Sequence, residues 1–194
     1  MLTLLYADDS MACGEKIMNE ELIKEQISDV AALMCGKNFA AGLKGSISVR
    51  LDGEQFFITA GNMPLRNTEP KKLIKLNKNF EIIRCMEGLS VTDDIDIHKK
   101  IYSSNQQIRA VLVAFPSSLC ALEENPAEVR SKIKLFPKKV SKEEITVENC
   151  DSVMIADYGA AVFSDDIYKA YSMLEELALD ADITLKKRIS GSVL

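Results

Sequence analysis

The sequence predicts an α/β fold: a three-layer α/β/α sandwich with a mostly antiparallel or mixed central sheet. Three observations lead there. Apolar residues recur at helical spacing across residues 20–41 and again across 165–183. Asp52-Gly53 separates two short apolar runs, the composition of a tight hairpin between antiparallel neighbours. Residues 152–156 and 160–163 read as strands joined directly by Asp157-Tyr158-Gly159, a connection too short for a parallel pair.

In chain order, the first helix presents Leu22, Ile23, Ile27, Val30, Leu33 and Met34 as its inward face, and Gly42 is expected to end it. Residues 45–50 and 55–59 form the hairpin strands. Residues 73–76 and 80–85 suggest two more strands around the Asn77-Lys78-Asn79 turn. Residues 92–104 read as a helix capped by Thr92 or Asp93, with Ile97 and Ile101 on one face. Residues 110–114 form a buried strand, Pro116 breaks it, and residues 117–122 begin a helix. The lysine-rich stretch 131–142 carries the weakest structural signal. The last helix turns Ile167, Tyr171, Leu174, Leu177 and Ala178 inward. With no repeat and no linker composition, residues 1–194 are expected to form a single domain.

Composition narrows the function classes. The 194 residues are 47% hydrophobic and 27% charged, and the net charge of -5 disfavours a nucleic-acid partner. Lys71-Lys72, Lys138-Lys139 and Lys186-Lys187-Arg188 lack interleaved aromatics and read as solvated surface. Cys13, Cys35, Cys85, Cys120 and Cys150 have neither disulfide-scaffold nor zinc-knuckle spacing and read mostly as buried thiols. The start lacks a basic leader, and no apolar run approaches the ~20 residues of a membrane helix. A cytoplasmic protein without membrane contact is expected.

More specific segments follow one another in a fixed order. Residues 45–50 read Gly-Ser-Ile-Ser-Val-Arg, followed by Asp52-Gly53 and by Phe56-Phe57-Ile58-Thr59. Asp94, His98 and Ile101-Tyr102 come next, then residues 110–116 as Ala-Val-Leu-Val-Ala-Phe-Pro and 152–159 as Ser-Val-Met-Ile-Ala-Asp-Tyr-Gly. Together they resemble the class II aldolase/adducin family. That family's text runs close to GNISVR, DG and FLIT, then an acid with histidine four residues on, an Ile-Tyr pair, AVVHTHP and AVLLxNHG. The resemblance covers roughly residues 20–181, and the stretch between Pro116 and Tyr158 is shorter than family members usually have. It implies a class II aldolase-like fold and a homo-oligomer, a tetramer by the same resemblance.

In active relatives three histidines hold a divalent metal, usually zinc, which polarises substrate oxygens and stabilises an enediolate. The matching positions here are Val113, Phe115 and Tyr158, so the resemblance implies no metal and no other cofactor. Independently of any alignment, His98 is the only histidine in the chain. It matches a packing position of the family's helix and reads as a structural histidine. The family's catalytic glutamate is matched by Asp94, one methylene shorter, which general-base geometry tolerates badly. Asp93 and Asp94 also read more simply as first-turn acids that favour the helix dipole.

The family's phosphate loops match Lys44-Gly45-Ser46, Thr59-Ala60-Gly61-Asn62 and Thr92-Asp93. Gly61, Asn62 and Thr92 remain candidate donors to an anion, whereas Asp93 replaces a common serine and repels one, with Lys44 as a partial offset. Asp94, Cys120, Asp157 and Tyr158 are candidates for a rebuilt metal site. Cys120 reads better as core and Asp157 as a turn residue.

Three functions compete. The favoured expectation is a catalytically degenerate domain, a pseudoenzyme acting as a binding or assembly module in the sense of the adducin head domain, with an unknown small-molecule ligand. The alternative is a sugar-phosphate lyase, aldolase or epimerase with altered, metal-independent chemistry at Asp94, His98 or Tyr158. An ordinary zinc aldolase is nearly excluded by the histidine count.

Overall fold

The computed structural model describes residues 9–122, 138–141, 145, 147, 150–155 and 158–191. Helix α1 (Asp9–Gly36) leads into β1 (Ser46–Arg50) and β2 (Phe56–Ile58), and single 3-10 turns at Leu65–Asn67 and Pro70–Lys72 precede β3 (Ile74–Leu76) and β4 (Ile82–Arg84). Then come α2 (Ile95–Ser104), β5 (Ala110–Ala114), α3 (Ser117–Ala121), β6 (Lys138–Val140), β7 (Ser152–Ile155), β8 (Gly159–Ser164) and α4 (Ile167–Gly191).

The strands form one sheet in the order β4-β3-β2-β1-β5-β8-β7-β6. Every neighbouring pair is antiparallel except β6 and β7, which run parallel. The sheet is therefore mixed and mostly antiparallel. The Asp52-Gly53 hairpin sets Ser48 opposite Ile58 and Arg50 opposite Phe56. Its turn uses positive φ at Gly53 (76°) and Glu54 (56°).

Alternation along each strand splits the apolar residues between two faces. Ile47, Val49, Phe57, Leu112, Met154 and Val162 pack with α1, α3 and α4. Phe56, Ile58, Val111, Val113, Val153 and Ala161 face Ile97, Ile101 and Tyr102 of α2. The layers are thus α1/α3/α4, sheet and α2. Among the described residues no helix is long and apolar enough to cross a membrane.

Several expected boundaries move, each for a local reason. Helix α1 ends at Gly36, not Gly42. Asn38 adopts φ 58° and supplies the left-handed residue that Gly42 was expected to supply. The Phe39 amide then donates to the Met34 carbonyl at 2.8 Å and the Asn38 amide to Cys35 at 3.1 Å. Ile27, Val30 and Met34 are inward as expected, but Leu22 and Leu33 are exposed, so the buried stripe is narrower than the apolar one.

Helix α2 begins at Ile95, and Asp94 occupies its N-cap position without a capping side-chain bond. Part of the lysine-rich stretch forms β6, at one edge of the sheet; residues 131–137 and 142 lie outside the described residues, as does Asp157. Helix α4 starts at Ile167 and continues to Gly191, with all five expected inward residues buried. Cys120 is exposed rather than core, while Cys35, Cys85 and Cys150 are half-buried.

One close approach decides where α2 starts. The Gly61 amide donates to Ser90 O at 2.9 Å, and a Cβ on Gly61 would lie 2.4 Å from Thr92 Cα. Backbone meets backbone there, so a methyl has nowhere to go. We expect Gly61→Ala to destabilise the fold by about 2 kcal/mol or more. Gly36→Ala, with nothing within 4 Å of the added methyl, should stabilise it by about 0.5–1 kcal/mol. Urea midpoints of the two variants against the parent check both signs.

Candidate functional site

Period-2 alternation turns Ile47 and Val49 to one side of β1 and Ser46, Ser48 and Arg50 to the other, under α2. Two hydroxyls thus enter a helix–sheet interface with almost no water: Ser46 is 0% and Ser48 1% exposed. Buried hydroxyls require partners, and α2 provides them. Ser46 Oγ donates to Asp94 Oδ2 at 2.7 Å and lies 2.8 Å from His98 Nε2. His98 Nδ1 lies 2.7 Å from Ser48 Oγ, which is 2.9 Å from the Tyr102 hydroxyl.

The carboxylate end fixes the direction of this chain. Because Ser46 gives its proton to Asp94, it can only accept from His98. His98 is therefore protonated at Nε2 and accepts at Nδ1 from Ser48. Burial lowers its pKa from the ordinary 6.5 to about 4, although the Asp94 charge opposes that shift. The imidazole is neutral and structural.

The second Asp94 oxygen accepts from the Tyr158 hydroxyl. Asp94 is 3% exposed, so neither oxygen faces open solvent. It sits at the N-cap of α2, where its charge suits the helix dipole as expected, but it is buried and bonded rather than exposed. Tyr158 packs edge-on against Phe115 with ring centroids 5.2 Å apart at 66°, and Lys44 Nζ sits 5.1 Å from the Phe115 ring centre. Gly159 permits this approach, since a Cβ there would lie 2.5 Å from Ala114 O and 2.8 Å from the Phe115 ring. Val113 is fully buried and pairs with Ser46 across β1 and β5. Val113, Phe115 and Tyr158 belong to one apolar cluster.

A metal does not fit this donor set. Val113 and Phe115 offer carbon only, and the Tyr158 hydroxyl is committed to Asp94. Ligation through tyrosine requires the phenolate, and the environment disfavours it. Burial raises the Tyr158 pKa, as do its bond to Asp94 and the charges of Asp94 and Asp93.

The other sequence candidates separate by exposure and by existing bonds. Thr59 is buried, and its hydroxyl accepts from the Ile47 amide at 3.0 Å. Asn62 donates to Gly88 O at 2.7 Å and accepts from the Ser90 amide at 3.0 Å. The Gly61 amide is held by Ser90, and buried Thr92 accepts from the Asp94 amide at 3.3 Å. Lys44 and Asp93 are exposed at the rim, with Gly45 half-buried beside them. Ser48 and Tyr102 complete the polar chain, yet sequence reasoning did not select them as site residues. Their signal was a strand with serines on a face that a helix covers.

The His98 shift has a thermodynamic consequence. Above pH 6.5 the imidazole is neutral in both states. Between pH 6.5 and 4 the unfolded chain binds a proton that the folded chain refuses. Stability therefore falls as pH falls through that window, by about 3 kcal/mol in total. The difference in unfolding free energy between parent and His98→Gln should change with this slope, whatever its value at pH 7. A difference constant from pH 4 to 6.5 would contradict the assignment.

Comparison with known proteins agrees with this architecture. Residues 25–185 match the family described as Class II Aldolase and Adducin N-terminal domain. Sugar-phosphate aldolase from Thermotoga maritima is similar at 21% identity and TM-score 0.73, over 90% of this chain and 97% of that one. L-fuculose 1-phosphate aldolase from Glaciozyma antarctica PI12 is similar at 13% identity and TM-score 0.76, over 95% and 77%. An aldolase II superfamily protein from Pseudomonas syringae is similar at 14% identity and TM-score 0.77, over 86% and 75%. No curated protein matches the sequence. At these identities the structures speak for the fold, and the family match covers most of the chain: it belongs to the class II aldolase and adducin N-terminal domain family.

Proposed function

We propose that this chain is a catalytically degenerate member of its family, a single domain that acts as a binding or assembly module. The reading rests on one observation: Asp94, at the family's acid/base position, is buried with both oxygens engaged by Ser46 and Tyr158. Beside it, carbon side chains occupy two of the three metal-ligand positions. A buried carboxylate with a donor on each oxygen must give up a hydrogen bond before it can act as a base, and the metal-ligand positions beside it offer no Lewis acid.

Assembly into a homo-oligomer, a tetramer in this reading, is supported by apolar side chains left outside the α1/α4 layer. Leu22 and Leu33 are 54% and 43% exposed, and Leu179 and Ile183 are 58% and 39% exposed. Light scattering of the purified chain tests this, and a monomer at all concentrations removes it.

One observation favours the metal-independent alternative. The hydrogen bonds from Tyr102 through His98 to Asp94 are continuous, and the Tyr158 phenol is held protonated at their end. Such a pair can pass a proton once a ligand breaks the Tyr158–Asp94 bond.

Metal content and turnover decide between the readings. Protein purified from zinc-supplemented cells should carry no stoichiometric zinc and leave L-fuculose 1-phosphate uncleaved with or without added metal. Metal-free cleavage lost in Asp94→Asn would establish the alternative; zinc-dependent cleavage would overturn both. The combined variant Val113→His, Phe115→His, Tyr158→His should gain zinc affinity and lose about 2–4 kcal/mol of stability without metal. Little cleavage activity should return while Asp94 remains short.

A further inference from the structure

We propose a second, unassigned site: a cleft on the α1 side of the sheet that binds a small organic dianion bearing an apolar arm. The cleft, about 510 Å³, lies between α1, the 3-10 turn at Pro70–Lys72 and the end of β4. It is separate from Asp94 and Tyr158, which adjoin the α2 face. Lys24 on its wall sits over the ring of Phe57, which belongs to the α1/α4 layer.

Charge is the first argument. Lys24, Lys71 and Arg84 line the cleft. Lys24 pairs with Glu21, while Lys71 and Lys72 share the single carboxylate Glu69. Lys75 pairs with Glu20 at 2.8 Å, and Arg84 has no ion pair among the described residues. Three cations, Lys24, Lys71 and Arg84, and one carboxylate, Glu21, thus line the cleft on a chain whose net charge is -5. An excess of two positive charges matches a dianion.

Placement is the second argument. Lys75 and Arg84 stand directly opposite each other across β3 and β4. Like charges opposite one another destabilise a strand pair; Glu20 already offsets Lys75, which leaves Arg84 as the cation that faces an anion in the cleft. Lys24 is only 7% exposed, so its ammonium is held in place, with Glu21 beside it as its counter-ion. Pro70, buried Leu73 and exposed Met86 supply an apolar wall. Arginine suits bidentate contact with phosphate or carboxylate. A phosphate monoester and a dicarboxylate share the required chemistry.

Titration calorimetry on the full chain with phenyl phosphate, phenylmalonate and neutral benzyl alcohol tests the site and separates the two sources. We expect saturable binding of at least one dianion, none of benzyl alcohol, and weakening as salt rises. Arg84→Gln and Lys71→Gln, both at exposed positions, should each weaken binding by about tenfold. Lys44→Gln, at the rim of the other cleft, should leave it unchanged. No saturable binding at millimolar ligand overturns the proposal. So does binding that Lys44→Gln abolishes and the other two variants leave intact. This site does not depend on the state of Asp94, so zinc in the family's site would leave it standing.

Discussion

The buried hydrogen-bond chain from Asp94 to Tyr102 ties α2 to β1, and the geometry of the cleft depends on it. Ser46, Ser48, His98 and Tyr102 are each at most 2% exposed, and leaving any one unpaired costs about 1–3 kcal/mol. Only one rotation and one axial position of α2 satisfy all of them together. Arg50 closes the far end by donating to Tyr102 O at 2.6 Å, a carbonyl in the last turn of α2, and to Gln106 O at 2.9 Å just beyond the helix. With α2 so fixed, the Thr92 backbone rests on Gly61 and Asp94 meets Tyr158.

The same constraint explains how side chains fill the centre of the site. Three ligands aimed at one point would each need a partner if the ion were missing. Here Val113 and Phe115 satisfy the space by packing, and one hydroxyl, that of Tyr158, is satisfied by a carboxylate. Phe115 and Tyr158 add an edge-on ring contact, an interaction worth about 0.5–1.5 kcal/mol beyond buried area. The second cleft, on the other face, differs in kind. Its cations exceed their partners, so it remains electrostatically open while the first is closed.

Much of the fold was legible in the sequence because period and turn chemistry are local signals. The Asp52-Gly53 hairpin and the Ser152-to-Ser164 strand pair could be read directly, since connections that short permit only antiparallel neighbours. The true end of α1 was hidden because Asn38, not a glycine, adopts the left-handed conformation. Strand β6 was hidden because Lys138-Lys139-Val140 carries no apolar alternation in the sequence. At the site, the sequence pointed to Asp94, His98, Val113, Phe115 and Tyr158. It named Ser46 only as an anion-loop residue and could not show that Ser46 and Ser48 would bond His98, because a hydroxyl's partner is set by which helix covers that face. Nor could it show that the Asn62 amide is taken up by Gly88 and Ser90, contacts across 26 and 28 residues.

Hydrogen bonds from Ser46 and Tyr158 hold Asp94. The sole histidine is built into that chain, so nitrogen-15 NMR of its ring reads the arrangement without a mutation. The expected spectrum at pH 6 is that of a neutral imidazole protonated at Nε2, with slow exchange at that proton and no change when zinc is added. An imidazolium spectrum at pH 6, an Nδ1-protonated ring, or ring signals displaced by one equivalent of zinc would contradict it.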